Sequence, residues 1–204
     1  MKQSLASPLP KYVHTNAGNF KIKPTFGRVL TCYEILQDEV FDDLDKIILC
    51  LRLLVRNKIK LLFLSSKQKI VLFEAIFKEI ISINDDKRAT IKSFDFIQDS
   101  QYIYAGFMQC YGIDLFKQRD ALHWWEFLSL FSGISSDTRI AQIINIRTQP
   151  IPKLTKYNAE ERARIMKLKN EYRLEMTEKE RQENLAQGLI KIVKTLEGMS
   201  KRER

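Results

Sequence analysis

The ten residues from Leu122 to Phe131 read Leu-His-Trp-Trp-Glu-Phe-Leu-Ser-Leu-Phe and stand just ahead of Gly133. Seven of the ten are large and apolar. Wound at 3.6 residues per turn, they leave almost no polar face, so a helix here must be enclosed by other elements on nearly every side. Trp124 and Trp125 point about 100° apart on such a helix and cannot both face one groove. The expectation is that one packs inside, while the other lines the boundary against the Ile151-Pro152 segment.

The rest of the chain supplies the surrounding helices. Phe26, Val29, Leu30, Tyr33 and Leu36 recur at three and four, with Thr25 placed to cap and an end near Gln37. Asp42 or Asp43 caps a second helix that carries Ile47, Ile48, Leu51, Leu54 and Val55 on one stripe. Ser65-Ser66-Lys67-Gln68 has the form of a capping box, and opens a third helix that runs to about Ile81. A fourth spans roughly Phe94 to Tyr111 and stops before Gly112, a natural left-handed C-terminal residue. The central aromatic helix is the fifth. Ser136-Asp137 begins a sixth that continues through Ile146, and Pro150 and Pro152 then impose an extended segment.

Ahead of these helices, Tyr12-Val13-His14 and Phe20-Lys21-Ile22 flank the turn-rich Asn16-Ala17-Gly18-Asn19 and predict a β-hairpin. Beyond them, Asn158-Ala159-Glu160-Glu161 resembles a capping box and leads a polar helix with a thin Ile165, Leu168, Tyr172 stripe. Thr177 starts another box, after which Leu185, Leu189, Ile192, Leu196 and Met199 alternate at four and three as an a/d seam. That seam suits an oligomer contact or a partner helix. The pattern predicts an all-α, mainly helical bundle with a small N-terminal β-hairpin and a C-terminal helical extension. It divides into an arm and hairpin over residues 1–24, a helical core over 25–157 and a basic extension over 158–204.

Charge follows this division. The 204 residues carry a formal net charge of +9. Residues 1–31 hold five bases and no acid, and residues 153–204 hold 14 bases against 9 acids. Residues 32–152 hold 15 bases and 16 acids, so the excess lies at the two ends. Basic ends can meet nucleic acid, an acidic protein or a membrane surface. Interleaved Glu160, Glu161, Glu171 and Glu175 favour helix-supporting pairs over a phosphate track, which makes nucleic acid the lesser reading. The most apolar run, Ile47 to Leu64, is broken by Arg52, Arg56, Lys58 and Lys60 and does not predict a membrane span. Pro8 and Pro10 fall where a signal core would run, and three free cysteines suit a reducing compartment. The chain is expected in the cytoplasm.

Nothing in the sequence arranges a catalytic constellation. His14 lies in the hairpin and His123 beside Trp124, and a lone histidine in either place is most often a hydrogen-bonded boundary residue. Cys32, Cys50 and Cys110 lack zinc-ligand spacing and read as small buried thiols. No phosphate-binding glycine motif occurs. The expectation is a non-enzymatic protein with no cofactor and no metal.

Residues 95–172 hold the most specific pattern. Asp95-Phe96-Ile97-Gln98-Asp99-Ser100-Gln101-Tyr102-Ile103-Tyr104-Ala105-Gly106-Phe107 leads to Tyr111-Gly112-Ile113-Asp114-Leu115. Then come Leu122-His123-Trp124-Trp125, Ile146-Arg147-Thr148 and Ile151-Pro152-Lys153-Leu154-Thr155-Lys156-Tyr157-Asn158. This series resembles the bacteriophage gene-product-fifteen family of siphophage and prophage tail modules. The hairpin, and a first helix ending Glu34-Ile35-Leu36-Gln37-Asp38, is similar to that family's opening, and the resemblance covers most of residues 8–173.

The resemblance implies a tail assembly chaperone. Such a protein coats the long helical tape-measure protein in the bacterial host cytoplasm, then leaves as the tube polymerises, and is not expected in the mature virion. Other tail proteins and further copies of the chain are possible partners. On this reading His123, Trp124, Trp125, Arg147, Thr148, Pro152, Lys153 and Tyr157 are the candidate partner-binding or motif residues. Leu185, Leu189, Ile192 and Leu196 form the candidate seam. Arg147 and Lys153 flank the extended segment and could hold a partner carboxylate or cap a helix C-terminus. The alternatives are a basic helical nucleic-acid-binding protein and a structural tail or connector subunit.

Overall fold

A computed structural model describes residues 5–81 and 93–175. The hairpin pairs β1 (Tyr12–Thr15) with β2 (Gly18–Lys21) in antiparallel register, Val13 opposite Phe20 and Thr15 opposite Gly18. Within the hairpin only Gly18 has a positive φ, at 113°, so Asn16 and Ala17 make the turn in ordinary backbone conformations. Val13, Phe20 and Ile22 point inward and are buried, which gives the hairpin the same hydrophobic core as the helices.

The helices in chain order are α1 (Phe26–Gln37), α2 (Asp43–Leu54), α3 (Lys58–Leu62), α4 (Ser66–Ile76), α5 (Ser100–Tyr111), α6 (Leu115–Gln118), α7 (Trp124–Ser132), α8 (Arg139–Thr148) and α9 (Ala159–Glu171). A π turn, Phe77–Ile81, prolongs α4. The hairpin, α1, α2 and α4 pack together, and α5, α8 and α9 form a second group. Helix α7 touches α1, α5 and the π turn, and so joins the two groups as its apolar circumference requires. The all-α architecture with one small hairpin is therefore observed among the described residues.

Several ends form as expected. Asp42 accepts the Asp45 amide, Ser65 and Gln68 complete both halves of their box, and Gly112 terminates α5 at φ 62°. Others differ for physical reasons. Thr25 occupies the N-cap position of α1, yet its hydroxyl is buried and finds no partner among the described residues. Its backbone instead forms a β-bridge with His123. Helix α5 starts at Ser100 rather than Phe94, because Asp95 Oδ1 accepts the Ile97 and Gln98 amides and holds the preceding turn out of the helix. Thr138 caps α8 in place of Ser136-Asp137, and the helix continues to Thr148. Asn158 caps nothing: its side chain bonds the Thr155 amide and the Lys153 carbonyl instead. The segment from Thr177 onward, with the proposed Leu185–Met199 seam, lies outside the described residues.

Residues 21–26 run between the two halves as an extended strap. The Lys23 amide donates to the Leu54 carbonyl at the end of α2, and the Arg56 amide donates to Lys21. At the other edge, the Phe26 amide donates to Leu122 and the Trp124 amide to Pro24. The backbone groups that the strap cannot pair within itself are thus matched to helix ends that need partners.

Candidate partner-binding surface

His123 is the N-cap of α7 and not a residue within it. Its Nδ1 accepts the Trp125 amide at 3.1 Å, while the Glu126 carboxylate accepts the His123 amide at 2.8 Å. These bonds close a capping box in which imidazole stands where serine is usual. The ring's Nε2 lies 3.1 Å from the Pro10 carbonyl, so it donates there. Both contacts fit only the neutral ring with its proton on Nε2. Burial pushes the His123 pKa below its ordinary 6.5, with Lys11 adding to the effect and Pro10 and Glu126 opposing it.

Because the folded pKa is depressed, this stabilisation is complete above pH 6.5 and is lost as pH falls through the folded value. His123→Ala is expected to cost about 0.5–2 kcal/mol at neutral pH. It should also flatten part of the fall in melting temperature between pH 7.5 and the acid side of the transition. Thermal melts of both proteins check this, and parallel pH slopes refute it.

Trp124 is fully buried, and its indole N–H donates to the Ile81 carbonyl at 3.0 Å. That carbonyl stands at the last residue of the π turn, and the buried indole gives it a donor. Trp125 is partly exposed. Phe127, one turn further on, stacks on Phe26, Phe107 and Trp124 at centroid distances of 5.0, 5.1 and 5.4 Å.

Arg147 meets a carboxylate of its own chain. Its Nη1 and Nη2 donate to Asp99 Oδ2 and Oδ1 at 2.6 and 2.9 Å, a bidentate pair in which Asp99 is 2% exposed. Nη1 also donates to the Ser93 carbonyl and Nε to the Tyr172 carbonyl. The side chain therefore ties the N-terminus of α5 to the ends of α8 and α9, and is not free for a partner's carboxylate. Lys169 donates to the Arg147 carbonyl, so the C-terminal end of α8 is capped from α9. Thr148 bonds back to the Ile144 carbonyl, and the Pro152 carbonyl accepts from Arg162. Lys153 is exposed, and Tyr157 projects at 98% exposure. The eight motif residues thus divide into a structural set (His123, Trp124, Arg147), two residues at helix surfaces (Trp125 on α7, Thr148 at the end of α8) and three on the loop before α9 (Pro152, Lys153, Tyr157), without forming one cavity.

A different place is open. Leu30 of α1, Ile103 and Tyr104 of α5, and Leu115 and Phe116 of α6 line an apolar groove of about 190 Å³, with Glu34 and Arg119 at its polar edge. Phe127 forms part of its wall, so the central helix and the groove share a ring. Phe116 is 79% exposed and lies 5.2 Å from the Tyr104 ring. Close approach of α1 to the chain after α6 depends on Gly27. Its amide donates to the Arg119 carbonyl, and a Cβ there would lie 2.7 Å from that oxygen. Sequence reasoning missed this groove. Its one signal is Asp114, a capping residue, followed at once by Leu115-Phe116 in a helix too short to bury both faces.

The remaining candidates for chemistry lie apart from the groove. Cys32 and Cys50 are buried against one another's backbone carbonyls, and the contact with Cys50, together with burial, holds the Cys32 thiol protonated. Cys110 is half-buried, and His14 on β1 bonds the Asn19 side chain. Among the described residues no group of three His, Cys, Asp or Glu could hold a metal ion. No helix among them is long and apolar enough to cross a membrane.

Comparison with known proteins places this arrangement. No curated protein and no solved structure matches the chain. Residues 5–174, which run from the arm through α9, match the family model described as Bacteriophage Gp15 protein, and the chain belongs to that family.

Proposed function

We propose that this chain is a phage or prophage tail assembly chaperone that binds an apolar helical segment of the tape-measure protein and performs no catalysis. The observation that carries the reading is the open groove of α1, α5 and α6, set in a body of this family. An amphipathic helix laid in it would place apolar anchors at i, i+3 or i+4 against Leu30, Tyr104 and Phe116. Two cations of the basic C-terminal region, Arg162 and Lys169, donate to carbonyls of their own chain, which leaves fewer donors free to track a phosphate backbone. Such a protein would act in the host cytoplasm and be absent from the finished particle.

The test is co-expression with the tape-measure protein of the same gene cluster. The wild-type chain should keep that protein soluble and co-purify with it. Phe116→Ser should reduce recovery severalfold and move the melting temperature little, because an exposed ring contributes little to stability. A tape-measure protein that stays insoluble beside the wild-type chain overturns the proposal. Finding the chain in purified virions by mass spectrometry would favour a structural tail or connector subunit instead.

A further inference from the structure

The near-neutral middle of the chain conceals two opposite charges. Residues 32–45 hold six acids and no base, and residues 46–81 hold eight bases against two acids. The structure places both on exposed apolar surface. The segment 38–45, made of the link from α1 and the first turn of α2, carries Glu39 and Asp43 beside Val40 and Phe41, which are 86% and 40% exposed. Asp38 accepts the Val40 amide and Asp42 the Asp45 amide, so the segment is held in a defined turn.

The opposite charge lines a groove of about 390 Å³ among the C-terminal half of α2, α3 and the start of α4. Ile48, Ile59 and Leu62 supply its apolar wall, and its ionisable residues are Arg52, Lys58 and Lys69. None of these three cations is paired with a carboxylate among the described residues. Ile59 and Leu62 are 69% and 68% exposed. Each patch has what the other lacks: exposed apolar side chains framed by carboxylates, and an apolar trough framed by cations. Val40 is exposed and the segment does not line the groove, so the two do not meet within one chain.

We propose that the acidic segment 38–45 of one copy docks in the cationic groove of a second copy. The two patches lie toward opposite ends of α2. Two copies with antiparallel α2 helices therefore satisfy both contacts at once and close with twofold symmetry. The contact is separate from the groove assigned to the tape-measure protein and is tested on the purified chain alone, so either reading can fail without the other.

Charge exchange followed by sedimentation is the experiment. Wild type should run above its monomer mass of 24.0 kDa at low salt and dissociate as salt rises. A groove variant, Arg52→Glu with Lys58→Glu, and a segment variant, Glu39→Lys with Asp43→Lys, should each weaken self-association by about tenfold or more. All four positions are exposed, so both variants should keep the wild-type circular dichroism spectrum. Mixing the two variants restores opposite charges across both contacts and should recover the complex. A monomeric wild type, an oligomer that both variants leave intact, or a mixture that stays dissociated overturns the proposal. So does a wild-type monomer whose groove captures anionic vesicles or duplex DNA.

Discussion

Arg147→Ala is expected to destabilise the fold by about 3–5 kcal/mol, because it leaves the Asp99 carboxylate buried without its cation. A domain of ordinary stability has only about 5–15 kcal/mol in total, so much of the margin is lost. Urea unfolding should show a lower midpoint. Arg147→Lys should not restore it, since a single ammonium cannot span both carboxylate oxygens and also reach the Ser93 and Tyr172 carbonyls. Asp99→Ala should be damaging as well, through the lost acceptor for the Asp95 amide and the stranded guanidinium. The double variant should cost clearly less than the two single costs combined, since neither charge is then left alone. A loss below about 1 kcal/mol for Arg147→Ala would mean that water reaches the pair and that it is worth no more than a surface bridge.

This pair also shows what a sequence can and cannot disclose. Ser65 and Gln68, or Tyr111 and Gly112, act within one turn of backbone, and their roles follow from local hydrogen bonding. The central placement of α7 was legible because a helix without a polar face must be enclosed. Arg147 and Asp99 are 48 residues apart, and nothing local marks either as the partner of the other. Helices α3 and α6, of five and four residues, are too short to display a helical period. Phe94 to Gln98 has the right apolar spacing for a helix but is diverted by the Asp95 side chain, a competition that periodicity does not register. Exposure is the hardest property to read. Phe116 and Ile59 look like core residues by type, and only the packing leaves them at 79% and 69% exposure. Both proposed contact surfaces depend on that property, whereas three of the motif residues chosen from the sequence hold the fold together.

Trp124→Ala should produce a loss of similar size by another route. Removing a fully buried indole costs about 3–5 kcal/mol in lost transfer energy and cavity formation. The Ile81 carbonyl at the end of the π turn also loses its indole donor. Trp124→Phe separates the two effects. It keeps most of the ring packing against Tyr33, Phe96 and Phe127 but removes the N–H, and should cost about 1–3 kcal/mol. Chemical denaturation of both variants checks the order: a loss near zero for Trp124→Phe would mean that the hydrogen bond contributes nothing, and equal losses that the ring packing does. The variant also bears on binding, because Trp124 supports Phe127 and Phe127 lines the apolar groove. Trp124→Ala should therefore weaken tape-measure recovery and stability together, whereas Phe116→Ser should weaken recovery alone. If both variants lose recovery only in proportion to stability, the groove acts through the fold and the binding surface lies elsewhere.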